Sequence, residues 1–178
     1  ILDSGDSQDL LKAALAEVMG KPSKHFPNAS VLGNVFSNAF NTTCEAVLLE
    51  QRPYTERDFG LEAYLLRSPY TYLEQHLESM LQILKCYRNK KRRNQVMDFD
   101  DLLENWLDLL RQHHEKLPLC QQIQHLLVDE YQDTNQVQAQ ILDYLSRPHR
   151  NLMVVGDDAQ SIYSWRGANF RNILDFPE

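Results

Sequence analysis

The chain has 178 residues, a hydrophobic fraction of 43% and a formal net charge of -7. That length suits one large domain or two small ones with a real core. The acidic balance argues against coating nucleic acid by bulk charge, although it leaves room for a local basic groove. No apolar run reaches the length of a membrane span, and the N-terminus lacks the charged and apolar regions of a signal peptide. Cys44, Cys86 and Cys120 are odd in number and form no CxxC pair, which points to reduced thiols in a cytoplasmic protein.

Leu10, Leu11, Ala14, Leu15 and Val18 have helical spacing and predict a helix over 7–19, with Ser7 as N-cap and Gly20 and Pro22 as its stop. Val31, Leu32, Val35, Phe36, Ala39 and Phe40 predict a second helix over 29–41. Helical turns around Cys44–Leu49 and Leu61–Leu66 are expected on either side of a loop at Pro53. Ser68-Pro69 then opens a long helix, with proline at the first position, where a missing N–H costs least. Leu73, Leu77, Met80, Leu81, Leu84 and Tyr87 form its apolar stripe, and it ends in "RNKKRR", Arg88–Arg93. Those cations read equally well as a solvated helix end favoured by the macrodipole and as a patch contacting nucleic-acid phosphates.

"MDFDDLLENWLDLL", Met97–Leu110, predicts a helix capped by Asp98, with Phe99, Leu102, Leu103, Trp106 and Leu110 on the buried face. Trp106 is thereby assigned to the core. β character enters after Pro118: Ile123–Val128 and Leu152–Val155 have strand length, with a helix over about Gln136–Leu145 between them. Strand, helix, strand implies parallel neighbours in one sheet. The expected fold class is α/β and predominantly helical: a helical subdomain over 1–96, then part of a parallel α/β domain over 97–178.

In open α/β sheets, ligands gather beyond the C-terminal ends of the strands. Asp129-Glu130 and Gly156-Asp157-Asp158 both fall there. A hard cation such as Mg²⁺ takes a carboxylate together with phosphates and waters, and a neighbouring carboxylate can deprotonate an attacking water. The plainer reading is an acidic turn that caps the next helix, a task that Asp133 or Thr134 could perform alone.

The longer strings are more specific. "LLVDEYQDTN" followed by "VVGDDAQSIYSWRGA" closely resembles the second and third helicase motifs of UvrD-like helicases, the UvrD/Rep/PcrA group of superfamily 1. "MDFDDLL" resembles the helix by which that group returns to its first RecA-like domain, and "ILDSGDSQDLLKAAL" the start of the helical subdomain inserted there. The resemblance is strong over 97–178, weaker at 1–20 and 69–96, and diffuse between them. It implies an ATP-dependent helicase that moves 3′ to 5′ on single-stranded DNA and opens forked DNA, with repair or replication proteins as partners. Asp129 would hold Mg²⁺ on the β- and γ-phosphates, Glu130 would be the general base, and Gln160 would contact the γ-phosphate. Tyr163 and Trp165 would line the DNA track, and Arg166 would couple that track to the nucleotide cleft. Bases stack on aromatic faces without sequence preference, so aromatics beside a phosphate sensor are a sensible coupling device. For Tyr163 and Trp165, whose neighbours are polar or small, a site at the surface is favoured over the core.

A phosphate loop, G-x-x-x-x-G-K-[ST], is missing: Gly20-Lys21 comes nearest, but Leu15 stands where the first glycine belongs. His113, His114 and His125 have no matching ligand set. The chain opens on Ile1 and closes on Glu178 just after a proline, and is expected to be a segment of a longer protein, inactive in ATP hydrolysis by itself. Two other readings stay open: a helical DNA- or protein-interaction module without catalysis, and the helicase part of a RecB- or AddA-type helicase-nuclease.

Overall fold

Asp3 starts the first helix: its carboxylate accepts a hydrogen bond from the Asp6 backbone N–H across 2.8 Å. Helix α1 therefore spans Ser4–Met19, and Ser7, the expected cap, lies inside its second turn. An aspartate at the N-terminus both caps and complements the helix dipole, which favours the earlier start. Gly20 ends α1 as expected, at φ 65°, in the region open to glycine. The computed structural model describes residues 1–42, 53–161, 172 and 176. The chain divides into two compact units, Ile1–Asp101 and Leu102–Glu178.

In the first unit, Asn28 caps α2, Ala29–Thr42, by accepting from the Val31 N–H at 3.0 Å. A left-handed Gly60 introduces α3, Leu61–Arg67, which falls where a helical turn was expected. The turn expected around Cys44–Leu49 lies outside the described residues. The long helix does not begin at Pro69. Ser68 instead starts a tight turn in which its hydroxyl accepts from Tyr70 N–H and its carbonyl from Thr71 N–H. A 3₁₀ segment, Thr71–His76, follows, and α4 runs from Leu77 to Arg93. Side-chain–backbone bonds of this kind compete with α-helical pairing. α1 packs on α4 and α2. The core gathers Leu11, Ala14, Leu32, Val35, Phe40, Leu61, Leu65, Leu73, Met80 and Ile83.

Two residues of "RNKKRR" depart from the expectation of a wholly solvent-facing string. Arg88 and Lys91 are only 1% and 3% exposed. The Arg88 guanidinium lies 4.3 Å from the Tyr54 ring centre and 4.0 Å from that of Phe59, and it donates to the Tyr54 carbonyl. Lys91 Nζ lies 2.6 Å from carboxylate oxygens of both Asp98 and Asp101. Lys90 pairs with Glu17 at 2.5 Å, while Arg92 and Arg93 are exposed. Arg88 and Lys91 thus turn inward while Arg92 and Arg93 face out, because a helix turns successive residues to different faces.

Helix α5, Phe99–His113, is capped by Asp98 as expected. The Asp98 carboxylate accepts from Asp101 N–H at 2.9 Å, and Asp98 N–H donates to the Asp101 carboxylate at 3.0 Å. Its buried positions are Asp101, Glu104, Leu107 and Leu110. Phe99 is 66% and Trp106 41% exposed, so neither occupies the core position expected of it. The reciprocal cap and the Lys91 pair fix the rotation of α5, and a polar side chain takes the interior place that apolar spacing alone assigned to aromatics.

The second unit continues with α6, Pro118–Gln122. Ile123 closes that helix, donating its N–H to the Leu119 carbonyl, so β1 is Leu126–Val128 rather than starting at Ile123. Helix α7, Gln136–Ser146, returns the chain to β2, Leu152–Val154. The strands are parallel, with Leu126 opposite Leu152 and Val128 opposite Val154, as the strand–helix–strand order requires. Val137, Ile141 and Leu145, one helical turn apart, are the buried face of α7. The whole is a helix-rich α/β fold with a small parallel sheet. No helix among the described residues is long and apolar enough to cross a membrane.

Candidate functional site

The two strand ends are tied together where the carboxylates emerge. Val155 N–H donates to the Val128 carbonyl at 2.8 Å, and Tyr131 N–H donates to the Val155 carbonyl at 3.0 Å. Asp129 and Glu130 follow Val128 and are both exposed. Glu130 has φ 53° and ψ 41°, the left-handed conformation, which costs a residue with a side chain about 1–2 kcal/mol. Such strain persists only where surrounding bonds impose it, and it concentrates at functional sites. Here the Glu130 N–H donates to Asp129 Oδ1 at 2.9 Å.

A buried amide holds the Glu130 carboxylate. Gln132 is 1% exposed, and its Nε2 donates to Glu130 Oε2 at 2.6 Å. Gln132 Oε1 accepts from Asp157 N–H at 3.0 Å. Asp157 in turn caps the 3₁₀ turn Asp158–Gln160, accepting from Ala159 N–H at 3.0 Å and from Gln160 Nε2 at 2.8 Å. Glu130, Gln132, Asp157 and Gln160 therefore form one continuous chain of hydrogen bonds across the ends of β1 and β2. Sequence reasoning missed Gln132, although a lone amide in an otherwise acidic turn is a group that can donate and accept at once.

The turn between β1 and α7 is fixed separately. Thr134 Oγ1 donates to the Tyr131 carbonyl at 2.7 Å, and Asn172 Nδ2 donates to the Thr134 carbonyl at 3.0 Å. The Tyr131 ring is buried, lies edge-on to Phe176 with centres 5.6 Å apart, and has its phenol pKa raised by burial and then by Asp143. The cap of α7 is Asn135, which accepts from Gln138 N–H at 2.8 Å while Gln138 returns a bond to Asn135 N–H at 3.0 Å. Asp133 and Thr134 are thus not the cap, and Asn135-x-x-Gln138 is the capping-box spacing that would have identified it. Neither Asp129 nor Glu130 caps α7; Glu130 stands at the start of the 3₁₀ turn Tyr131–Asp133 without a side-chain capping bond.

Asp129 Oδ2 has no hydrogen-bond partner among the described residues, and no cluster of three or more His, Cys, Asp or Glu side chains able to hold a metal occurs among them. One open carboxylate fits Mg²⁺ held largely by phosphates and waters, and does not fit a cation caged by protein alone. Tyr163, Trp165 and Arg166 lie outside the described residues. His114 packs at a tilt against Tyr144 with ring centres 5.2 Å apart and contacts the Leu110 carbonyl through Nδ1, a packed histidine rather than a ligand.

The sequence matches the UvrD/REP helicase N-terminal domain over residues 1–178. It is 36% identical to the ATP-dependent DNA helicase PcrA of Bacillus subtilis over 177 residues, covering 99% of this chain and 21% of that protein. It is 45% identical over 100 residues to PcrA of Leuconostoc citreum, covering 56% of this chain and 13% of that protein. The figures for PcrA of Staphylococcus epidermidis are 42% over 104 residues, 58% and 14%. The chain therefore spans about a fifth or less of the length of these relatives. Together these matches show the family: this chain belongs to the UvrD/REP helicase N-terminal domain family.

Proposed function

We propose that the chain is part of an ATP-dependent DNA helicase that moves 3′ to 5′ along single-stranded DNA and opens forked duplex in repair or replication. The observation that carries this reading is the linkage of Glu130 to Gln160 across adjacent parallel strand ends, beside the open carboxylate of Asp129. In the proposed roles, Asp129 holds Mg²⁺ against the phosphates of ATP. The cation, when bound, supplies positive charge against the β- and γ-phosphate oxygens. Glu130 accepts the proton of the attacking water, and Gln160 donates to the γ-phosphate and registers its presence. The relatives named ATP-dependent DNA helicase support the same activity.

Tyr163 and Trp165 are proposed to stack on bases of the single strand, and Arg166 to couple them to the nucleotide. Residues 1–96 form the inserted, DNA-contacting helical subdomain in this reading, and 97–178 part of the RecA-like domain. The chain lacks the phosphate-loop motif, so the 178-residue piece by itself hydrolyses ATP only at background rate. Reduced cysteines suit the cytoplasm, with repair or replication proteins as partners.

Strand separation tests the reading. Protein expressed from the full reading frame that encodes this chain, given ATP and Mg²⁺, opens duplexes with a 3′ single-stranded tail and leaves 5′-tailed duplexes closed. Opening that needs no ATP, or no opening of either substrate, would contradict it.

A further inference from the structure

Gln132 is 1% exposed, and the helix that follows it is capped by Asn135 instead. A buried primary amide needs partners for both its ends, because an orphaned donor or acceptor carries its full desolvation cost. Gln132 takes those partners from two different functional segments. Its Nε2 donates to the Glu130 carboxylate at 2.6 Å, and its Oε1 accepts from Asp157 N–H at 3.0 Å. Nothing else described joins the Glu130 side chain to the second strand end.

We propose that Gln132 is a positioning residue that fixes the Glu130 carboxylate to the Asp157–Gln160 turn, so that a displacement of Gln160 is passed to the base. The proposal rests on the helicase reading above. The Gln160 amide is held on Asp157 Oδ2 at 2.8 Å, so moving Gln160 toward a phosphate pulls on Asp157. The backbone N–H of Asp157 is one end of the Gln132 bridge, and the Glu130 carboxylate is the other. The bond to Glu130 is short and charge-assisted, which gives it directional stiffness.

Two substitutions separate this role from packing. Gln132→Glu keeps the volume and the acceptor for Asp157 N–H, but loses the donor and sets a second carboxylate against Glu130. Gln132→Met keeps most of the volume and loses both bonds. Each is made in the protein expressed from the full reading frame. Hydrolysis of ATP is followed with and without saturating single-stranded DNA, and a non-hydrolysable ATP analogue is titrated to count competent molecules. The expected result for both variants is a kcat per competent molecule about tenfold or more below the unsubstituted protein, with KM for ATP and analogue affinity within about twofold. The ratio of DNA-stimulated to DNA-free hydrolysis also falls toward one.

A packing role alone would reduce the number of competent molecules and leave both kcat per competent molecule and that ratio unchanged, which would overturn the proposal. Should Gln132→Met fail to fold, Gln132→Glu decides: normal kcat and normal DNA stimulation in that variant overturn the proposal while the helicase reading stands. If the unsubstituted protein hydrolyses no ATP, the helicase reading fails, and this inference with it.

Discussion

Lys91 Nζ lies 2.6 Å from Asp101 Oδ2 inside the first unit, and both side chains are buried. The same ammonium reaches Asp98 Oδ2 at 2.6 Å and stands 4.4 Å from the centre of the Tyr87 ring. Tyr54 donates to Asp101 at 2.6 Å and Tyr87 to Asp98 at 2.8 Å, so each carboxylate has a neutral donor besides the cation. Lys91→Met leaves the buried Asp101 carboxylate and the half-buried Asp98 carboxylate without their counter-charge. Removing one partner of a buried pair typically costs about 3–5 kcal/mol. Denaturant unfolding of the chain, followed by helical circular dichroism, should report a loss of that order. A change below about 0.5 kcal/mol, the range of ordinary surface substitutions, would contradict the assignment.

Asp100 makes the opposite case. Burial and the nearby Asp98 charge raise its pKa, against hydrogen bonds from Ser37 and Asn41 and the attraction of Lys91. An acid whose folded pKa is raised destabilises the fold when ionised, so stability rises as pH falls through that raised value. Asp100→Asn removes the buried charge. The variant should be more stable than the unsubstituted chain at neutral pH, and the difference should shrink on acidification and vanish once aspartate is protonated in both states. Unfolding curves at several pH values measure it; a difference that stays constant or grows on acidification would contradict it.

Asp98 carries the reverse sign. Burial pushes its carboxyl up, but the Lys91 charge and hydrogen bond, the Asp101 backbone N–H and the Tyr87 hydroxyl outweigh burial and hold it below the usual range. Its contribution to stability is present above the ordinary carboxylate pKa and is lost as pH falls through the depressed value. The stabilisation of the unsubstituted chain by protonating Asp100 is therefore opposed at lower pH by the loss from Asp98.

Trp106 and Leu107 are neighbours on α5 with opposite settings: Trp106 is exposed and Leu107 fully buried. Leu107→Ala should cost about 2–5 kcal/mol as a core truncation. Trp106→Ala should cost much less than the roughly 3–5 kcal/mol of a buried tryptophan. Thermal melts of the two variants rank them directly, and a larger loss for Trp106→Ala would show that it does belong to a core.

The pair also marks where sequence reading stopped. Apolar periodicity located α2, α3 and α7, and the strand–helix–strand order gave the parallel sheet, because those elements bury a plain apolar face. It located α5, its Asp98 cap and buried Leu110 but misplaced Phe99 and Trp106, since no hydrophobic count registers the buried pair of Asp101 and Lys91. It failed also at Ser68, where hydroxyl-to-backbone bonds replaced the first helical turn. At the candidate site, the position of Asp129 and Glu130 directly after a strand was legible in the sequence. Gln132 escaped because its role depends on Asp157, 25 residues away, and that proximity exists only once β1 and β2 pair.

The central claim, that Glu130 is the base of an ATP-hydrolysing site, is tested most directly by phosphate release from the protein expressed from the full reading frame, with ATP, Mg²⁺ and single-stranded DNA. Glu130→Gln keeps the size of the side chain and removes its ability to take a proton. Turnover should fall by about 10²-fold or more while a non-hydrolysable ATP analogue still binds, whereas Asp129→Ala should weaken Mg²⁺-nucleotide binding itself. Phosphate release by Glu130→Gln at the unsubstituted rate would contradict the account.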